Sequence, residues 1–393
     1  MIKHSIQLVW ARKKKNLLMV IEIAFSFLIL FGLFTVLFER YSNYARERGF
    51  DTENVLILHV SENRTDYEKW KEERKDVYRS IENYLDANKD VEKFAYMDNT
   101  FPFSSNNNTE GSTFNYGLSF NYYRQLLSPK AIELLNLPFV QGRTFNETDY
   151  NADTKSMIIN RVFYDHLKPY LNEKDELLDD DGQLNMKIVG VIENYKKKNE
   201  YEEQKFVGIW PYNKERFNQT LFFIKTKNDP TTIEAQLVSD LEKRCPDLAF
   251  GVNYFDTQRV QANKEVLLPL ILLTAVCVFL IINVALGLYG VLWYNISKRK
   301  SEIGLRRAVG ASKSLIRKQM LIEVGVLLLG GFLLGGLFVV QFPLLGVFNY
   351  TGEQYLIGTL LSAFFVGIIT FICGYYPSVL ASRITPVEAL HEL

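Results

Sequence analysis

The chain has 393 residues, with 45 basic and 45 acidic side chains and a mean hydropathy near zero. This balance favours neither an acidic nor a basic partner, and three cysteines are too few for the disulfide framework usual in secreted ectodomains. Both averages, however, span very different regions.

Residues 1–16 carry Lys3, Arg12, Lys13, Lys14 and Lys15 and no acidic side chain. An apolar run follows at 17–38, interrupted only by Glu22. Further runs lie at 266–293 and 355–380, both without charge, and at 320–348, where Glu323 is the one charge. Each reaches the roughly 20 residues a helix needs to cross about 30 Å of hydrocarbon. The chain therefore reads as a membrane protein with four transmembrane helices. The first run is too long for a secretory signal and ends without an A-x-A site, so it is expected to stay as an anchor.

Between the first and second spans lies a large insert, 39–265, with 31 basic and 39 acidic residues. Its pattern predicts an α+β domain, arranged as one or two subdomains. Strand candidates are 55–60, 156–163, 186–195, 220–227 and 249–256. Helices are expected over 66–87, where Trp70, Val77, Ile81 and Leu85 recur at helical spacing, and over 232–245. The stretch 94–125 is rich in Phe, Tyr and Asn, and reads as strands joined by a polar loop. DELLDDDG at 175–182 lacks calcium-loop spacing and reads as a solvated acidic turn. The four histidines are scattered, and neither G-x-S-x-G nor H-E-x-x-H occurs, so nothing points to a hydrolase or to a resident metal or cofactor.

The second span contains Asn283, able to bond across a dimer interface or to a neighbouring helix. The loop 294–319 follows. Residues 298–318 carry eight basic side chains, Arg306 and Arg307 among them, against Glu302. Gly304 and Gly310 are one residue too far apart for a P-loop, and no lysine follows the second glycine, so nucleotide binding by this segment is excluded. The arginines sit too close to the bilayer for a nucleic-acid site. A helix over 301–309 is expected instead, with Glu302 and Arg306 paired at i,i+4. Gly310 would stop it and Ser312 would cap the next helix. Ile303, Leu305, Ala308 and Val309 give this elbow an apolar surface. In the third span, Gly331 and Gly335 form a G-x-x-x-G for close helix packing. A short connection at 349–354, the fourth span and a tail at 381–393 complete the chain. The basic flanks place both termini and 294–319 in the cytoplasm and the large insert outside.

KRKSEIGLRRAVGASKSLIRKQMLIE (298–323) closely resembles the signature of the MacB/FtsX-like ABC permease family. LSPKAIELLNLPFVQGRTFNETD (127–149) resembles its MacB-type periplasmic core, and YYPSVLASRITPVEALHEL (375–393) resembles its C-terminal tail. The resemblance implies a non-catalytic permease subunit in a bacterial inner membrane, with a periplasmic core domain. It binds no nucleotide itself; ATP would be bound by a partner ABC ATPase, expected as a separate protein. Glu302, Ile303, Gly304, Leu305, Arg306, Arg307, Ala308, Val309 and Gly310 would be the coupling helix seated on that ATPase, and 258–265 the approach to a stalk. Further implied partners are a second permease, membrane lipid, and a periplasmic adaptor with an outer-membrane channel. Efflux of small amphipathic molecules or peptides is the leading function. Lipoprotein release, regulation of a cell-wall hydrolase, and a receptor or adhesion module without ATPase are the alternatives.

Overall fold

The computed structural model describes residues 13–62, 67–106, 109–113, 119–150, 155–178, 184–212 and 221–383. The remainder includes His4, His391, the second half of the acidic 175–182 stretch and the last ten residues of the tail motif. The chain divides into two compact units, 43–267 and 1–42 with 268–393.

Helix α1 (Lys13–Tyr44) contains the first apolar run. The large unit then builds one mixed sheet from β1 (Val55–Glu62), β2 (Val91–Met97), β3 (Thr109–Thr113), β4 (Ser119–Leu127), β5 (Phe139–Gly142), β6 (Ser156–Asn160), β7 (Glu176–Leu178), β8 (Leu184–Ile192), β9 (Val207–Pro211), β10 (Leu221–Thr226) and β11 (Leu248–Tyr254). The order is β11-β1-β10-β2-β4-β9-β6-β8-β5, with β3 on β4 and β7 on β8.

Strands buried on both faces read as continuous apolar runs, as in VLIL and LFFI. Ile57 and Phe223 enter a core on one face, with Ile132 and Leu134 of α3 (Pro129–Leu134). Leu56, Leu58, Phe222 and Ile224 enter a second core beneath α2 (Tyr67–Ala87) and α5 (Glu234–Arg244). A third gathers Met157, Ile159 and Met186 around Phe163 of α4 (Arg161–Leu167). The helices thus sit on two halves of one sheet, which is how a two-subdomain pattern arises. Two strand expectations ran on into helices. The segment 156–163 turns helical at Arg161, and the last strand ends at Tyr254. At both places a strand runs straight into a helix, so no turn residue marks the change.

Within the stretch that carries the core resemblance, GRTFNETD (142–149) forms a clasp. Arg143 donates to both carboxylate oxygens of Asp149 (2.6 and 3.2 Å), which also accepts from the Asn146 amide and the Ser156 hydroxyl. Burial opposes the Asp149 charge, but these donors outweigh it and hold the carboxyl below the usual range. Gly142 adopts φ +77°, and a Cβ there would lie 2.3 Å from the Val189 carbonyl oxygen, so only glycine fits.

Helix α6 (Phe255–Ser297) carries the second apolar run. It is followed by α7 (Lys300–Ala308), α8 (Lys313–Val339), a short helical turn at Gln341–Leu344 and α9 (Gly352–Arg383). Among the described residues, four helices are long and apolar enough to cross a membrane. In this unit α1 lies in a groove made by small residues. A Cβ on Gly331 would meet Ile23 at 2.3 Å, one on Gly335 would meet Phe27 at 2.8 Å, and one on Gly358 would meet Thr35 Oγ1 at 2.1 Å. The G-x-x-x-G of α8 therefore packs on α1. Asn283 makes no bond to a neighbouring helix among the described residues; its Nδ2 donates to the Phe279 carbonyl of its own helix.

Candidate docking site for a cytoplasmic partner

The segment 298–323 forms a helical elbow whose parts follow from local chemistry. α7 ends in a Schellman motif: Ala311 N–H donates to Arg306 O (3.0 Å) and Gly310 N–H to Arg307 O (3.1 Å). Gly310 stands at φ +97°, the left-handed conformation that closes such a motif. The Ser312 hydroxyl then accepts from Leu315 N–H and caps α8. The expected pair is present as well, with Arg306 Nη2 2.7 Å from Glu302 Oε1.

The surfaces of α7 divide more sharply than the sequence indicated. Ile303 is 2% exposed and packs with Ile316, Met320 and Ala381, and Gly304 is buried beside it. Ile303 thus anchors the elbow and adds nothing to its outer surface. Leu305 at 65% and Val309 at 82% exposure point away, with Ala308 and Gly310 also exposed and Arg306 and Arg307 half-buried. Of the nine residues 302–310, the outward apolar set is Leu305, Ala308 and Val309.

The residue that sequence reasoning missed is Arg299. Counted among the basic flanks, it is in fact 6% exposed. Its guanidinium reaches Glu302 (Nε–Oε2, 3.1 Å) and Glu323 (Nη1–Oε2, 2.7 Å). Gln319 bridges the group, donating to Glu323 (3.2 Å) and accepting from Arg306 (2.7 Å). Burial opposes the charge on Arg299, yet hydrogen bonds and charges from Glu302 and Glu323 prevail and raise its pKa above the ordinary value. The one charge in the third apolar run is therefore the anchor of this network, which ties the first turn of α7 to α8. A signal did exist: Arg299 lies three residues before Glu302, and an isolated acid in a span requires a partner. The other intramembrane acid, Glu22, lies against the backbone of α6; its Oε1 would be 3.3 Å from a Cβ on Gly287.

Comparison with known proteins places this elbow inside a recognised unit. The model of the FtsX-like permease C-terminal region matches residues 274–386. The chain is 29% identical, over 53% of its length, to a "Probable syringafactin export ATP-binding/permease protein SyfD" of Pseudomonas syringae pv. syringae. It is 23% identical, over 78% of its length, to the "Macrolide export ATP-binding/permease protein MacB" of Neisseria gonorrhoeae. It spans 34% of the former and 49% of the latter, so about a third to a half of these relatives. The periplasmic region of MacB from Actinobacillus actinomycetemcomitans aligns with a TM-score of 0.33 and 14% identity, covering 55% of this chain and 95% of that one.

Proposed function

The chain belongs to the MacB/FtsX-like ABC permeases, and from that premise we propose that it couples ATP hydrolysis by an ABC ATPase to conformational work on the outer side of a bacterial inner membrane. In this reading the chain is a non-catalytic permease subunit, α7 docks on the ATPase, and the unit 43–267 works in the periplasm. The work is export of small amphipathic molecules or peptides, a reading favoured by the export names of two relatives. A second permease would complete the assembly. Leu272, Phe279 and Leu286, spaced by seven along α6, are mostly exposed, and Asn283 lies on the exposed side of the same helix.

The observation that carries the proposal is the two-sided character of α7. One side is pinned by Ile303 and Arg299 to its own helical unit. The other offers Leu305 and Val309, whose exposure suits an apolar pocket in a soluble partner. A short helix fixed at its root and apolar at its tip can pass a push without yielding.

The test is co-purification of the full chain with an ABC ATPase from the same cells, followed by ATP turnover. The L305D/V309D variant should lose ATPase binding at least tenfold while its helices remain folded. Gly310→Val should uncouple the pair, because a β-branched residue resists the left-handed cap. A native chain that recruits no ABC ATPase, or an L305D/V309D variant that binds normally, overturns the reading.

A further inference from the structure

The segment 194–202, NYKKKNEYE, is polar and lies between β8 and β9 without regular secondary structure, yet much of it is buried. Asn194, Tyr195, Lys196, Lys197 and Glu200 are all below a tenth exposed. A loop of this composition ordinarily lies in water, so its bonding calls for an account.

Half of that bonding goes to the chain just after the first span. The Lys196 ammonium donates to the carbonyls of Asn43 (2.6 Å), Arg46 (2.8 Å) and Glu200 (2.8 Å). Asn43 lies in the last turn of α1, where carbonyls lack intrahelical partners and the helix dipole favours a cation. Lys196 N–H donates to Arg48 O (3.1 Å), Asn194 Nδ2 to Glu47 O, and Asn43 Nδ2 to Tyr201 O (3.4 Å). The Tyr44 and Tyr201 rings stack with centroids 5.0 Å apart. Gly49 lets the two backbones meet, since a Cβ there would lie 1.9 Å from Asn194 O.

The other half goes to the start of α6. Glu200 and Asn263 exchange two bonds, Asn263 Nδ2 to Glu200 Oε2 (2.5 Å) and Glu200 N–H to Asn263 Oδ1 (2.9 Å). Glu200 Oε1 also faces Arg259 Nη1 (3.4 Å) and Arg48 Nε (3.6 Å), so one carboxylate joins arginines from both chain segments. Arg259 is held in turn by Asp256 (2.8 Å).

We propose that the segment 194–202 is a clasp that fixes residues 43–49 and 256–263 to each other, with Lys196 and Glu200 as its positioning residues, so that the two segments leading to the first and second spans move as one. This rests on the coupling function proposed above. Both segments run covalently into apolar helices, and nine residues bind both by buried, charge-assisted bonds of defined direction. At the sheet end the two segments also meet directly, through Thr52 with Asp256 and Phe50 with Phe255; without the clasp the stretches nearer the spans would lose their shared anchor.

The experiment uses the full chain, with its native cysteines replaced, in lipid nanodiscs with the ABC ATPase. Spin labels at A45C and V260C, both exposed positions, report the separation of the two segments. In the otherwise native chain one narrow distance distribution is expected, unchanged by nucleotide. Lys196→Met and Glu200→Ala should each at least double its width, while amide exchange of β10 stays native. Glu200→Gln, which keeps the Asn263 bonds and loses the charge, should fall between and serves if the harsher variants fold poorly. A second pair, Y170C on each of two permeases, should show a nucleotide-driven shift that the clasp variants lose while ATP turnover stays within twofold. Unchanged 45–260 distances in the variants overturn the clasp alone. A widened distribution with the 170–170 shift intact overturns its role in transmission. A native chain that recruits no ATPase overturns that role together with the permease reading.

Discussion

Removing Arg299 should destabilise the helical elbow more than removing either of its acidic partners. Its side chain is 7% exposed, Glu323 is 15% and Glu302 is 34%, so the Arg299–Glu323 contact is the most desolvated pair of the network. Arg299→Met leaves Glu323 with only the Gln319 amide and sets it near Glu302, at a cost of about 3–5 kcal/mol, as for a buried pair that loses one partner. Glu323→Gln keeps an acceptor for the guanidinium, and Glu302 still balances the charge, so the cost should be about 1–2 kcal/mol. The double variant R299M/E323L replaces both ions by apolar groups in an apolar setting. It should be more stable than Arg299→Met alone, because no charge is left stranded there. Unfolding of the full chain in mixed micelles measures the three values and their coupling. Under the proposed function, ATP turnover with an ABC ATPase partner adds a functional reading, since an elbow loosened at its root should transmit less. Equal losses for Arg299→Met and Glu323→Gln, or a double variant worse than the sum of the singles, would refute the assignment of Arg299 as the pin.

Two further outcomes follow from close packing and from burial. Gly358→Ala should weaken the contact between α1 and α9 by about 1–3 kcal/mol, because its Cβ would fall 2.1 Å from Thr35 Oγ1; Thr35→Ala in the same chain should recover part of this in thermal unfolding, and no recovery would show that the clash lies elsewhere. Lys197 is fully buried and donates to Phe101 O (2.7 Å), Ser104 Oγ (3.0 Å) and Asn106 O (3.1 Å), while burial lowers its pKa to about 8. An unfolded lysine keeps its proton to about pH 10.4, so between these values the unfolded state binds more protons and stability rises with pH. Protection of β10 amides, corrected for intrinsic exchange, should therefore grow from about pH 8 to 10 in the native chain relative to Lys197→Met, and a constant difference would refute it.

Much of this protein was legible because two signals are strong. Apolar runs of spanning length with at most one charge have few meanings in water-soluble folds, and all four proved to be long apolar helices. SEIGLRRAVGASK states its own local structure: an i,i+4 pair, a glycine in the left-handed conformation and a serine cap all appear where the spacing places them. Boundaries failed where no turn chemistry marks them. LAFGVNY passes from β11 into α6 at Phe255 without a breaker, and SMIIN becomes α4 at Arg161.

Side-chain partners were the part that stayed hidden. Arg299 and Glu323 are 24 residues apart, and Lys196 and Asn43 are 153 apart, so no local period connects them. Composition even pointed the wrong way, reading Arg299 as a topology charge. By itself the sequence determined which segments are apolar enough for a membrane, where each elbow bends and which family signature it carries, because those depend on neighbours along the chain. Tertiary structure alone decided which charges are buried, which face of α7 is left outward and which segments are tied together, because desolvation is set by whatever the fold brings alongside.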